Sequence, residues 1–194
     1  MAKVKILIEG YAKEIEGGWL ASSTVTLVQE NGLNIIVDPG INKQLLLDKL
    51  TGLNLTPQDI DYVLMTHFHP DHNYLSAIFE NSKALDDELI YENDRETEHH
   101  GVIPGTDLEI IQTPGHEKSH ASLVVPTQEG VYVIAGDVFW WRDNEEQETE
   151  RDSLIQHQDP FVKNKDDLMT SREKILEIAD YIIPGHGTVF KVEK

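Results

Sequence analysis

Residues 63–72 read Val-Leu-Met-Thr-His-Phe-His-Pro-Asp-His, and they constrain this chain more than any other stretch. The apolar run Val63-Leu64-Met65 has the character of a buried strand. It stops abruptly, and His67, His69, Asp71 and His72 follow around Pro70. In an extended backbone residues i and i+2 share a face, so His67 and His69 can reach one metal ion together. Pro70 disfavours helix at His69 and starts the chain afresh. Asp71 and His72 then fall near a helix N-terminus, where adjacent side chains diverge, and can serve a second ion.

Three other stretches repeat this grammar. His116 follows a strand-like run and a Pro-Gly turn in "IQTPGHEKSH". Asp137 follows an apolar run and a glycine in "VYVIAGDVFWW", and His186 sits between glycines in "DYIIPGHGTVF". Each time an apolar strand ends, a tight turn follows, and one metal-competent side chain is presented. Open sheets gather ligands where strand ends converge. Seven nitrogen and oxygen donors on such loops are enough for two metals. The chain has no cysteine, which removes disulfides, thiolate sites and cysteine nucleophiles.

The 194 residues suit one domain over 1–194. Strand patterns cover Lys3–Ile8, a hairpin turning at Asn31-Gly32, Ile60–Met65, Glu88–Glu92, Leu108–Ile111 and the pair "ASLVVPT" and "GVYVIAGD". The spacing predicts helices over Ile41–Leu50, Asn73–Glu80 and Asp166–Ala179. A turn starts at Thr56-Pro57, and Arg142–Asp152 reads as a solvated loop or surface helix. Strands outnumber helices and the two are interspersed, which predicts an α/β architecture. The N-terminus lacks the apolar core of a signal peptide and no run spans a bilayer, so a cytoplasmic protein is expected. The formal net charge of −19 opposes binding to nucleic acid and to anionic membranes, although metals in a cleft can reverse the sign locally.

Taken in order, Asp38 in "VDPG", "THFHPDH", His116 in "TPGH", Asp137 in "AGD" and His186 in "PGHG" resemble the metallo-β-lactamase superfamily of binuclear metallohydrolases, across nearly the whole chain. Within it, residues 21–40, 57–75 and 135–147 look most like the metallo-β-lactamase domain-containing protein 1 group, whose chemistry has been associated with thioester and RNA hydrolysis. The resemblance implies a four-layer αββα sandwich, two mixed β-sheets flanked by helices. It assigns His67, His69 and His116 to one metal, Asp71, His72 and His186 to the other, and Asp137 to both. Asp38 and Thr66 would support the ligands from behind. Two divalent ions are implied, zinc by default for a histidine-rich set, with Mn or Fe as harder alternatives. A hydroxide bridging ions ~3.5–4 Å apart would attack a small ester, thioester or lactone, with Asp71 orienting it and taking its proton.

Phe139 and Trp140 after Asp137, together with His157, are expected to border the substrate pocket; the aromatic run, Trp141 included, is otherwise core or a homodimer contact. His120 reads as a surface or supporting histidine, and His99-His100 as an exposed pair. The chain runs eight residues past His186, which leaves out the C-terminal helical region of glyoxalase II-like members and argues against a specific glutathione thioesterase. The alternatives are a phosphodiesterase or ribonuclease, disfavoured by charge and the lack of a basic exosite, and an iron-dependent sulfur dioxygenase. A purely structural metal module fits less well, because closed structural sites favour soft ligands.

Overall fold

The computed structural model describes residues 1–193. Its first sheet contains β1 (Lys3–Ile8), β4 (Val25–Glu30), β5 (Leu33–Val37), β6 (Tyr62–Leu64), β7 (Lys83–Leu85), β8 (Leu89–Glu92) and β9 (Arg95–Glu98), in that spatial order. The β4–β5 hairpin turns on Asn31 and Gly32, both at positive φ (51° and 84°), as a type I′ turn requires. β5, β6 and β7 run parallel, and the other pairs of this sheet are antiparallel. The second sheet orders β10 (Glu109–Gln112), β11 (Ala121–Pro126), β12 (Val131–Trp140), β13 (Tyr181–His186) and β14 (Phe190–Lys191), with β12 and β13 parallel. Both sheets are therefore mixed.

Period-two alternation sorts the side chains into three apolar layers. Val28, Ile35, Val37 and Leu64 of the first sheet meet Leu123, Val125, Ile134 and Ile183 of the second. Leu27, Ile36 and Val63 point the opposite way, onto Leu46 and Leu50 of α1 (Lys43–Thr51). Val124, Val133, Ala135 and Ile182 face outward from the second sheet onto Leu154 of α3 (Arg151–Gln156) and Leu168, Ile175 and Leu176 of α4 (Lys165–Ile178). Helix, sheet, sheet and helix follow one another, which is the αββα sandwich. Asn42 caps α1 through Leu45 N–H, and Asn164 caps α4 through Asp166 and Asp167 N–H.

Several elements depart from the sequence reading. A short helix, α2 (Pro70–Asn73), begins at the proline, and only a 3-10 turn at Ser76–Ile78 remains of the helix expected over Asn73–Glu80. Pro at the first helical position explains the earlier start. A hairpin of β2 (Tyr11–Ile15) and β3 (Gly18–Ser22) stands apart as its own two-stranded sheet. β9 is exposed at every position, so burial left no pattern to read. Among the described residues no helix is long and apolar enough to cross a membrane.

Candidate metal centre

Parallel pairing brings the donors to one edge. β5 and β6 end side by side, so Asp38 and the loop from Thr66 to His72 emerge together. On the facing sheet β12 and β13 run parallel, and their register slips between Ile134 and Gly136 and again before Trp140. That irregularity leaves Asp137, inside β12, facing His186 at the end of β13. The loop after β10 adds His116.

The seven donors form two groups: His67, His69, His116 and Asp137 in one, Asp71, His72 and His186 in the other, with the donor atoms of each group within 4.8 Å of one another. Asp137 lies between them. Its Oδ2 is 3.3 Å from His116 Nε2 and 3.8 Å from His67 Nε2. Its Oδ1 is 3.1 Å from His72 Nε2 and 3.7 Å from His186 Nε2. Asp71 Oδ2 is 3.3 Å from His186 Nε2.

The outer nitrogen of every imidazole is tied down, and the ties fix which nitrogen carries the proton. His72 Nδ1 donates to Asp38 Oδ2 at 2.8 Å, and His116 Nδ1 donates to Asp159 Oδ2 at 2.7 Å. His69 Nε2 donates to Glu117 Oε1 at 3.0 Å, and His186 Nδ1 to the Tyr11 carbonyl at 3.1 Å. The Thr66 hydroxyl donates to Asp38 Oδ2 at 2.7 Å, so its oxygen is left to accept from His67 Nδ1 at 3.0 Å. All five rings thus aim a lone pair inward. His116 Nε2 and His69 Nδ1 face each other at 3.2 Å, an arrangement that is repulsive unless a cation sits between them. His67 Nε2, His72 Nε2 and Asp137 Oδ1 are buried without a hydrogen bond, the 3.1 Å approach of the last two being poorly aligned for one. Buried polar atoms are rarely left so. Orphaned donors, fixed tautomers and carboxylates behind the rings fit divalent metal ions.

Without metal, protons stand in for the cations. Burial alone would raise the Asp137 carboxyl, but the charges of His72, His186 and His116 hold it well below the usual carboxylate range. Burial alone would lower His72; Asp137 and Asp38 lift it well above an ordinary histidine. His116 rises the same way, through Asp137 and Asp159 against burial. His67 goes down, because burial and the neighbouring His72 outweigh Asp137. The carboxylates therefore demand cations at two of the rings.

Asp38 and Thr66 lie behind the donor groups: Asp38 Oδ1 accepts from Thr66 N–H at 2.8 Å, in addition to its bonds to Thr66 Oγ1 and His72. No motif marks Asp159 and Glu117 as partners of His116 and His69. Asp159 is 43 residues from its histidine, and only the fold joins them. A cleft of about 410 Å³ opens over the centre, lined by His69, Asp71, Asp137 and His186 and walled by Trp19, Ile41, Trp140 and Phe161. Trp140 takes the expected place. Phe139 does not: it is fully buried against Phe190 and under Arg172, in the outer core with Val138 and Trp141. His157 does not line the cleft either; its Nε2 holds the Trp140 carbonyl at 2.8 Å. Trp141 packs on His157 and Phe190. Phe139, Trp140 and Trp141 are 0%, 4% and 3% exposed, so the aromatic run offers no external subunit contact. His120 is buried and stacks on His67 at 5.0 Å. His99 is buried too, bonded to the Asp86 carbonyl and to Gly101 N–H, and only His100 of that pair is exposed.

This fold and donor arrangement define a metal-dependent hydrolase of the metallo-beta-lactamase superfamily, and the chain belongs to that family. The family model, described as "Metallo-beta-lactamase superfamily", matches residues 18–82. The chain is 35% identical to metallo-beta-lactamase domain-containing protein 1 of Xenopus laevis, over 98% of this chain and 82% of that one. It is 31% identical to a Methanocaldococcus jannaschii protein named "probable metallo-hydrolase", over 81% of this chain and 73% of that one. Among solved structures, AidC, a dizinc quorum-quenching lactonase, shares the fold with a TM-score of 0.60 at 14% identity, covering 87% of this chain and 74% of its own.

Proposed function

We propose that the protein is a binuclear zinc hydrolase that opens a small ester, thioester or lactone in the cytoplasm. One observation carries the reading: seven inward-facing donors form two groups with Asp137 of the first reaching His72 and His186 of the second, and each imidazole is oriented from behind. The dizinc lactonase chemistry of AidC, a protein of the same fold, supports both the metal and the substrate class.

Two bound divalent ions supply a water acidified toward neutrality and an electrophile for the acyl oxygen. The chain does the rest. Asp71, with its side chain open to the cleft, is the carboxylate available to orient the attacking water and accept its proton. Asp137 is enclosed by four histidine nitrogens and serves to hold rather than to shuttle. Trp19, Ile41, Trp140 and Phe161 receive the apolar part of the substrate and exclude bulk water.

The test is elemental analysis of natively purified protein, followed by a panel of thioesters, lactones, phosphodiesters and β-lactams with Zn, Mn and Fe. About two zinc ions per chain and turnover of acyl substrates are expected. Less than about one transition metal per chain would sink the binuclear reading, and turnover confined to phosphodiesters would replace the substrate class. Asp71→Ala should abolish turnover while the protein still folds.

A further inference from the structure

The cleft over the metal centre shares Ala12 and Trp140 with a second cavity of about 530 Å³. The two differ in character. Trp19, Ile41 and Phe161 make the first apolar, whereas Arg142, Asn144 and Gln158 line the second. A ligand reaching from one into the other must be apolar at one end and polar at the other.

Arg142 sets the polar end. Its guanidinium lies 5.6 Å from the Trp19 ring centroid and makes no ion pair or hydrogen bond to another side chain among the described residues. A guanidinium resting on an indole keeps its N–H fork free for a planar or tetrahedral anion. Three carboxylates also border this cavity, Glu14, Glu145 and Asp159, and hydrogen bonds orient two of them without removing their charge. Asp159 accepts from His116 at 2.7 Å and from Phe161 N–H at 2.9 Å. Glu145 accepts from Arg142 N–H at 3.3 Å and faces His157 Nδ1 at 3.8 Å. Glu14, paired across the β2–β3 hairpin with Trp19, is the third acid that an incoming anion meets.

We propose that the second cavity binds an anionic group of the substrate, a carboxylate or phosphate set away from the scissile bond, and that Arg142 is its anchor. The substrate is then an acyl compound with an apolar segment over the metals and a negative group beside Trp19. This rests on the hydrolase reading above, so the experiment separates the two.

Thioesters alike except for a terminal amide, carboxylate, phosphate or trimethylammonium group are compared on the zinc-loaded protein. The carboxylate or phosphate member should exceed the amide about tenfold in kcat/KM, mostly through KM, as one screened charge-assisted contact allows. The order of those two tells which anion fits. Arg142→Gln should bring the ratio to near one, Arg142→Glu should favour the ammonium member, and Glu14→Gln should raise the anion preference. Equal rates across the panel, or a preference that survives Arg142→Gln, would overturn the anchor and leave the hydrolase reading intact. If no member turns over, the thioester part of that reading fails while its ester and lactone part stands, and tryptophan fluorescence on titration with the carboxylate-bearing thioether decides the anchor: tighter binding than to the amide thioether, lost in Arg142→Gln, upholds it, and equal binding overturns it.

Discussion

Asp38 holds more of the metal centre than any residue that faces the cleft. One carboxylate accepts from Thr66 N–H, Thr66 O–H and His72 Nδ1, and through the Thr66 hydroxyl it also sets the ring of His67. It does so from a positive φ of 49°, a conformation costly for a residue with a Cβ and kept where the surroundings require it. Asp38→Asn keeps the shape but puts an N–H₂ where an acceptor is needed. The expected result is a loss of about 2–4 kcal/mol in denaturant unfolding, since buried donors are left unmet, and weaker cobalt binding in a spectroscopic titration. Unchanged cobalt affinity would show that His67 and His72 need no such support. His120, buried behind His67, has its pKa pushed down to about 3, first by burial and then by the charge of His116. It stays neutral in the fold, while the unfolded chain takes up a proton below its ordinary value of 6.5. Its effect on stability is therefore absent above pH 6.5 and grows more unfavourable as pH falls toward 3. Between pH 7 and 5 the wild type should lose up to about 2 kcal/mol more than His120→Gln, read from urea midpoints at both pH values with metal chelated.

Each donor reaches the centre because an element stops at the right place, and those stops are what the sequence makes readable. Apolar runs ending in Asp38, Thr66 and His186 lie at the ends of β5, β6 and β13, so much of the sandwich and the grouping of the donors could be anticipated, whereas Asp137 lies inside β12, which runs on to Trp140 through a slip in register. Elements without a buried face could not. The β2–β3 hairpin carries exposed Ile15, Trp19 and Leu20, and β9 is wholly exposed, so periodicity had nothing to report. Yet that hairpin contributes Trp19 to the cleft, and the loop after α3 contributes Asp159 and Phe161. Supporting partners far apart in sequence are fixed by packing alone. At Gly185 of β13 the neighbouring strand leaves no room for a side chain: an added Cβ would overlap Asp137 Oδ1 and press on the Gly136 backbone. Its φ is unremarkable, so the requirement is one of space. Gly185→Ala should fold but displace the shared carboxylate, and inductively coupled plasma analysis should find the metal content reduced by about half or more. Full metal content in Gly185→Ala would mean that the strands move apart without cost to the centre.

At the scale of the whole molecule the metal centre is a seam. The first sheet and its loops supply His67, His69, Asp71 and His72, and the second supplies His116, Asp137 and His186, so neither half holds a complete set. Ions bound there join the two sheets and exist only in the folded state, so their binding energy adds to folding stability. Removing them leaves Asp38, Asp71, Asp137 and Asp159 close together in a chain of net charge −19, with histidine protons as the remaining counter-charge. Each ion at a free concentration about a thousandfold above its Kd contributes about 4 kcal/mol. For the two ions proposed above the sum is about 8 kcal/mol, which at roughly 2–4 °C per kcal/mol for a chain of this size is about 15–30 °C in Tm. Differential scanning calorimetry should therefore show a fall of that order on exhaustive chelation, reversed by zinc. Raising the salt should recover part of the loss in the chelated protein and do little for the loaded one, because screening weakens the carboxylate repulsion that the ions otherwise neutralise. A Tm that stays put after metal removal, verified by elemental analysis, would mean that packing between the sheets alone closes the seam.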